Sequence, residues 1–164
     1  MFRIVFSLIK ILLVVCIVGC SSDATQIPYY NTPDFTPIFL SENQELKNTI
    51  THQISDFSFV NQNKQIITNK EIEGKVHVAN FMFTSCTSIC PDMTGNMKLV
   101  EEAFFNDERV AVLSYSVTPW IDTPDKLLDY VKFNDIKTNN WHFLTGSKND
   151  IYSLARESYF AEES

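Results

Sequence analysis

The chain has 164 residues, 45% hydrophobic and 20% charged, enough for one compact domain plus a tail and too few for a multidomain enzyme. A net charge of -7 without any basic block excludes nucleic acid as a partner. The glycines, Gly19, Gly74, Gly95 and Gly146, are too scattered to build a phosphate-cradling loop, which excludes nucleotide cofactors in their usual settings.

The chain opens with Met1-Phe-Arg3, and Ile4 to Val18 is almost wholly apolar, broken by Ser7 and Lys10. This is the layout of a signal peptide, and it is shorter than the roughly 18–20 residues that span a bilayer as a helix. An uncleaved membrane anchor is the alternative. Ile17-Val18-Gly19-Cys20 resembles the lipobox of bacterial lipoproteins, which implies removal of residues 1–19 and acylation of Cys20. A lipid anchor holds through burial of its methylenes, about 0.8 kcal/mol each. The polar stretch that follows carries Pro28, Pro33 and Pro37 without apolar periodicity, so residues 20–45 read as a tether and residues 46–164 as the domain.

Within the domain, Phe57–Val60 and Gln65–Thr68 are two β-prone runs around a polar turn and predict a hairpin. Lys75–Phe83 is an apolar run bounded by Gly74 and by Thr84-Ser85, and reads as a central strand buried on both faces. Met93, Met97, Val100 and Phe104 recur at helical spacing and predict a helix over roughly residues 90–105. Val110–Val117 returns as a strand. Thr123-Pro124 is an N-cap followed by a first-turn proline, with Leu127, Leu128 and Val131 on one helical face. Trp141–Leu144 is a short strand, and Ser147 to Asp150 resembles a capping box that opens a helix with Ile151, Leu154 and Ala155 inward. A hairpin followed by β-α-β-α-β-α predicts an α/β domain, a mostly parallel central sheet with helices on both faces. The last helix runs to Ser164 with no closing hairpin after it, so truncation is expected.

Two of the four cysteines, Cys86 and Cys90, sit where a buried strand gives way to a helix, in Cys86-Thr-Ser-Ile-Cys90-Pro91. A helix N-terminus favours thiolate, the form that binds metals and attacks disulfides. Residues four apart share a helix face with Cβ atoms about 5–6 Å apart, so the pair can close a disulfide or grip one soft metal ion. Buried thiols or a structural disulfide would be the plain alternative.

Gly74-Lys75-Val76, Asn80 to Thr94 with the two cysteines, Leu113 to Pro124 and Trp141 to Gly146 together resemble the SCO/SenC family of copper-delivery proteins. The resemblance runs from about Ser55 to the end. It implies a thioredoxin-like fold, a membrane tether, and copper held by Cys86, Cys90 and a distal histidine. It also implies a copper-accepting oxidase subunit as partner, for assembly of the binuclear copper centre of cytochrome c oxidase. Two positions depart from the family pattern. Thr118 stands where the family has the first aspartate of its D-P-x-x-D-T-P segment, which removes a carboxylate from the copper site. The family's copper-binding histidine falls beyond Ser164, so the third ligand is expected from a longer chain.

His52, His77 and His142 read as ordinary core or surface histidines rather than ligands. Met93 and Met97 read as core filling, Asp92 as a first-turn acid, and Glu101, Glu102, Asp107 and Glu108 as solvated charge. Three functions follow: a copper metallochaperone, a thiol:disulfide oxidoreductase of the cell envelope using the same cysteines, or an inactive remnant.

Overall fold

The structure, a computed structural model, describes residues 26–41, 45–137 and 140–161. The apolar segment 4–18 and Cys20 lie outside the described residues. Within the stretch expected as a tether, Tyr29 and Ile38 pair antiparallel. The Asn31 carboxamide meanwhile donates to Thr49 O and accepts from the amides of Thr51 and His52. A single helical turn, α1 (Leu46–Thr49), leads into the domain.

Strands β1 (Ser58–Asn61) and β2 (Ile66–Thr68) form the hairpin. Its turn is organised by Asn61, whose buried side-chain oxygen accepts from the amides of Asn63 and Gln65 at 2.9 Å each. That local bonding is the reason asparagine favours turns, and Lys64 takes the left-handed conformation beside it, with φ 62°. A 3₁₀ turn, Asn69–Glu71, follows, and Gly74 at φ 71° turns the chain into β3 (Val76–Met82).

The chain then alternates α2 (Cys90–Ala103), β4 (Val110–Ser116), α3 (Pro124–Phe133), β5 (Trp141–Thr145) and α4 (Lys148–Ser153), with a π turn over Leu154–Ser158. The two expected N-caps are made: Thr123 accepts from the Lys126 amide and Ser147 from the Asp150 amide. α2 ends earlier than its apolar spacing predicts, and Phe104, past the last turn, is 45% exposed.

Sheet order is β2-β1-β5-β4-β3, with β3, β4 and β5 parallel and the hairpin joined antiparallel through β1 to β5. One expectation is corrected. β3 is not central but at the edge among the described residues, with Val76 70% exposed, whereas every residue of β4 and β5 is buried. An apolar run says how much a strand can bury, not which neighbours it acquires, and His77 and Asn80 within β3 suit its partial burial.

The sheet divides the core by its two-residue period. On one face Met82, Val112, Trp141 and Phe143 pack against Met97 of α2 and Leu127 of α3. On the other, Phe57, Phe59, Leu113, Tyr115 and Leu144 pack against Ile151 and Leu154. Gly146 lets β5 end against Phe59, since a Cβ there would lie 2.8 Å from the ring. Helices thus cover both faces, the mixed α/β arrangement that the sequence predicts.

Candidate functional site

The parallel strands β3 and β4 run side by side and end together, with Met82 opposite Ser116, and the turn after β3 carries the cysteines. Cys86 N donates to Phe83 O, and helix α2 starts at Cys90, with Pro91 in its first turn where no helical amide is needed. The Cys90 amide donates to Cys86 Sγ at 3.4 Å, so the first sulfur lies over the free amides of the helix N-terminus. Both thiols are free.

The two thiols are unlike. Cys86 is half-buried and Cys90 is 4% exposed. Hydrogen bonding from Cys90 and from the backbone amides of the turn lowers the Cys86 thiol below the ordinary cysteine range. Burial, followed by the neighbouring sulfur, pushes Cys90 up. Cys86 is therefore the more acidic of the two thiols and Cys90 the one that holds its proton more tightly.

Asp122, in the loop after β4, is fully buried beside this turn. Its Oδ1 accepts from Thr84 Oγ1 at 2.6 Å, and its Oδ2 from Thr84 N at 3.2 Å, Ser116 Oγ at 2.6 Å and Thr118 Oγ1 at 3.1 Å. Thr118 thus contributes a donor to Asp122 where the family pattern has a carboxylate. Tyr130 of α3 bonds Thr94 of α2 at 2.7 Å, and burial, with the negative fields of both thiols and Asp122, raises its phenol.

The sequence reading picks out the cysteines but assigns no role to Asp122. Its donor Thr84 is 38 residues away, and no local pattern links them. A D-T-P helix start preceded by hydroxyl residues is the only signal available.

The other candidates sit elsewhere or are already engaged. Met97 is buried in the core, and the Met93 sulfur accepts from Asn80 Nδ2 at 3.8 Å. Asn80 also accepts from Ser114 Oγ, which accepts in turn from the Trp141 indole at 2.8 Å. Asp92 is exposed in the first turn of α2.

His77, at the start of β3, is about 16 Å along the strand from Met82 and bonds Tyr159 Oη at 3.2 Å. His52 Nε2 bonds Ser158 O at 2.9 Å, and its ring lies over Phe160. His142 faces Glu71 at 3.6 Å and Asn61 at 3.2 Å. Among the described residues no group of three His, Cys, Asp or Glu side chains is placed to hold a metal ion.

Among the acids expected as solvated charge, Glu101 is a correction. It is 8% exposed and accepts from the Lys137 amide at 2.8 Å, because the loop after α3 folds over it. Asp107 pairs with Arg109 at 2.7 Å, which lowers its carboxyl to about 2. No helix among the described residues is long and apolar enough to cross a membrane.

Comparison with known proteins agrees with this geometry. The SCO1/SenC family pattern matches residues 44–163. The SCO1 protein homolog of Bacillus subtilis is 32% identical over 120 residues, 72% of this chain and 62% of that protein, so the chain spans less than two thirds of that relative. A SCO1/SenC family lipoprotein of Bacillus anthracis superposes with a TM-score of 0.61 at 34% identity, covering 66% of each chain. Arabidopsis thaliana ScoI, solved with copper bound, superposes with a TM-score of 0.54 at 30% identity, covering 65% of this chain and 66% of that one. A thiol pair at the start of α2, on a thioredoxin-like sheet of this order and with this match along the chain, makes the protein a member of the SCO1/SenC family.

Proposed function

We propose that the protein is a copper metallochaperone in which Cys86 and Cys90 hold copper as cargo for assembly of the cytochrome c oxidase copper centre. The observation that carries this is the pair itself. Two free sulfurs, one on the first residue of a helix and the other in the loop before it, with the Cys86 thiol lowered by the hydrogen bonds it receives, form a soft donor set suited to Cu(I). The copper bound to Arabidopsis ScoI supports the choice of metal.

Cys86 takes the ion first, being the more exposed and more acidic group. Cys90 joins by releasing the proton that burial makes it keep, so each ion bound displaces thiol protons and affinity rises with pH. When an acceptor takes the metal, Cys90 recovers its proton, and this return favours release. A third donor lies outside any cluster of described residues, and the family resemblance assigns it to a histidine.

Cys20 carries the lipid that tethers the domain to a membrane of the cell envelope, a reading supported by the lipoprotein from Bacillus anthracis. The test is fatty-acid labelling, with incorporation expected in the natural sequence and lost in Cys20→Ala. Incorporation that survives the substitution removes the anchor.

Anaerobic Cu(I) titration tests the main reading. One ion per chain is expected, lost in Cys86→Ser and in Cys90→Ser; unchanged binding in either variant refutes it.

The inequality of the thiols also favours a second reading, thiol:disulfide exchange. The Cys86 thiolate would attack a target disulfide and expel one target thiol. Cys90 would then attack Cys86 Sγ, expel the second, and leave a Cys86–Cys90 disulfide. Reduction of a model disulfide without copper binding would favour this reading.

A further inference from the structure

Few bonds hold the thiol-bearing turn to the rest of the protein. Around residues 84–90, Cys86 N bonds Phe83 O, Cys90 N bonds Cys86 Sγ and Ile89 O accepts from Met93 N in α2, all bonds between near neighbours in the chain. The bonds that reach a distant part of the chain run from Thr84, through its amide and its hydroxyl, to Asp122. Asp122 in turn is clamped by Ser116 at the end of β4 and by Thr118 in the loop that follows. All four donors are neutral, so the carboxylate charge is spread over strong hydrogen bonds rather than an ion pair. A fully buried carboxylate held this way has no alternative partner and resists displacement.

We infer that Asp122 is a positioning residue for the thiol pair: by pinning Thr84 to the end of β4 it holds Cys86 against the N-terminus of α2 and within reach of Cys90. The inference rests on the reading of Cys86 and Cys90 as the working thiols. It does not require that they bind copper.

The test uses the full chain in detergent and two independent equilibria. One is exchange with dithiothreitol, in which the two thiols lose two electrons and two protons and one oxidised dithiothreitol becomes its dithiol. The other is competition for Cu(I) against a chromophoric chelator.

Asp122→Ala is expected to shift the exchange about tenfold towards the dithiol and to weaken Cu(I) binding similarly, because a loosened turn lowers the effective concentration of one thiol near the other. Asp122→Asn keeps the shape. Its oxygen can face the Thr84 amide while its NH₂ meets the Thr84 hydroxyl, so it should restore both equilibria to within about threefold of the natural protein. Thr84→Val removes one of the two bonds and covers the case in which Asp122→Ala fails to fold. It should shift the exchange about fivefold, and more than Ser116→Ala, which removes a bond to Asp122 but none from the turn.

Unchanged exchange in folded Asp122→Ala, or in Thr84→Val, overturns the inference. A shift in Asp122→Asn as large as in Asp122→Ala also overturns it, since charge rather than position would then be responsible. If the natural protein binds no Cu(I) but the exchange shifts as described, the copper reading falls and the positioning role stands.

Discussion

The two ends of the parallel strands treat buried polarity in opposite ways. Where β3 and β4 end, Asp122 is fully buried and accepts four hydrogen bonds, and the turn it holds carries two thiols of unequal acidity. Near the start of β5, the third parallel strand, His142 is 7% exposed, its Nδ1 meets Asn61, and its Nε2 makes no hydrogen bond among the described residues, with Glu71 3.6 Å away. Chemistry gathers at the first end because parallel strands deliver loops and helix N-termini there, where free amides favour anionic groups. The second end collects the starts of the strands and has no such source of field. A buried polar group is thus a poor sign of function by itself; its value depends on what its partners hold in place.

The largest expected effect is at the carboxylate. Asp122→Ala strands the donors of Thr84, Ser116 and Thr118 and should cost about 3 kcal/mol in urea unfolding, since each unsatisfied buried donor costs roughly 1–3 kcal/mol and the hydroxyls can reorient. A cost equal to that of His142→Leu would erase the contrast between the two ends. His142→Leu should cost less than about 1 kcal/mol, because one ring nitrogen already lacks a bond and the apolar replacement removes a poorly satisfied group.

The thiols should separate kinetically. Brief alkylation at neutral pH, read by peptide mass, should modify Cys86 about tenfold faster than Cys90, because one is a half-exposed thiolate former and the other a buried thiol. Equal rates would mean that the turn does not distinguish them.

The pH dependence sharpens the second end. Burial lowers His142 and His77 below the ordinary histidine value, so the unfolded chain binds more protons than the folded one as pH falls through that value. Stability from keeping them neutral is fully present above about pH 6.5 and declines below it, levelling off once the folded groups protonate. His142→Leu should flatten part of that slope; an unchanged slope would show that the ring is not held neutral. Smallest of all, Glu71→Gln should cost at most about 0.5 kcal/mol, because its pair with Lys75 at 3.2 Å is partly solvated.

The elements were legible because each carries a local cause. Thr123 and Ser147 cap helices by bonds within three residues, and Asn61 builds its turn from its own side chain. The thiol pair was legible as a pair at a strand-to-helix junction, but Cys86 lies in the loop before α2 and not on its face, and the two meet because the Cys90 amide bonds Cys86 Sγ. The place of β3 in the sheet, the burial of Glu101 and the role of Asp122 were not. Each depends on a partner at least 30 residues distant, Arg109 and β4 for β3, Lys137 for Glu101 and Thr84 for Asp122.

The sequence by itself determined the alternation of strand and helix, the family and the two sulfurs, because hydrophobic period, caps and the short strand-to-helix junction act over a few residues. Only the tertiary structure decided which strand lies at the edge, which thiol is buried and raised and which is lowered, and which carboxylate the turn bonds. Burial and field are set by atoms brought together across the sheet, and distance in the chain carries no record of them.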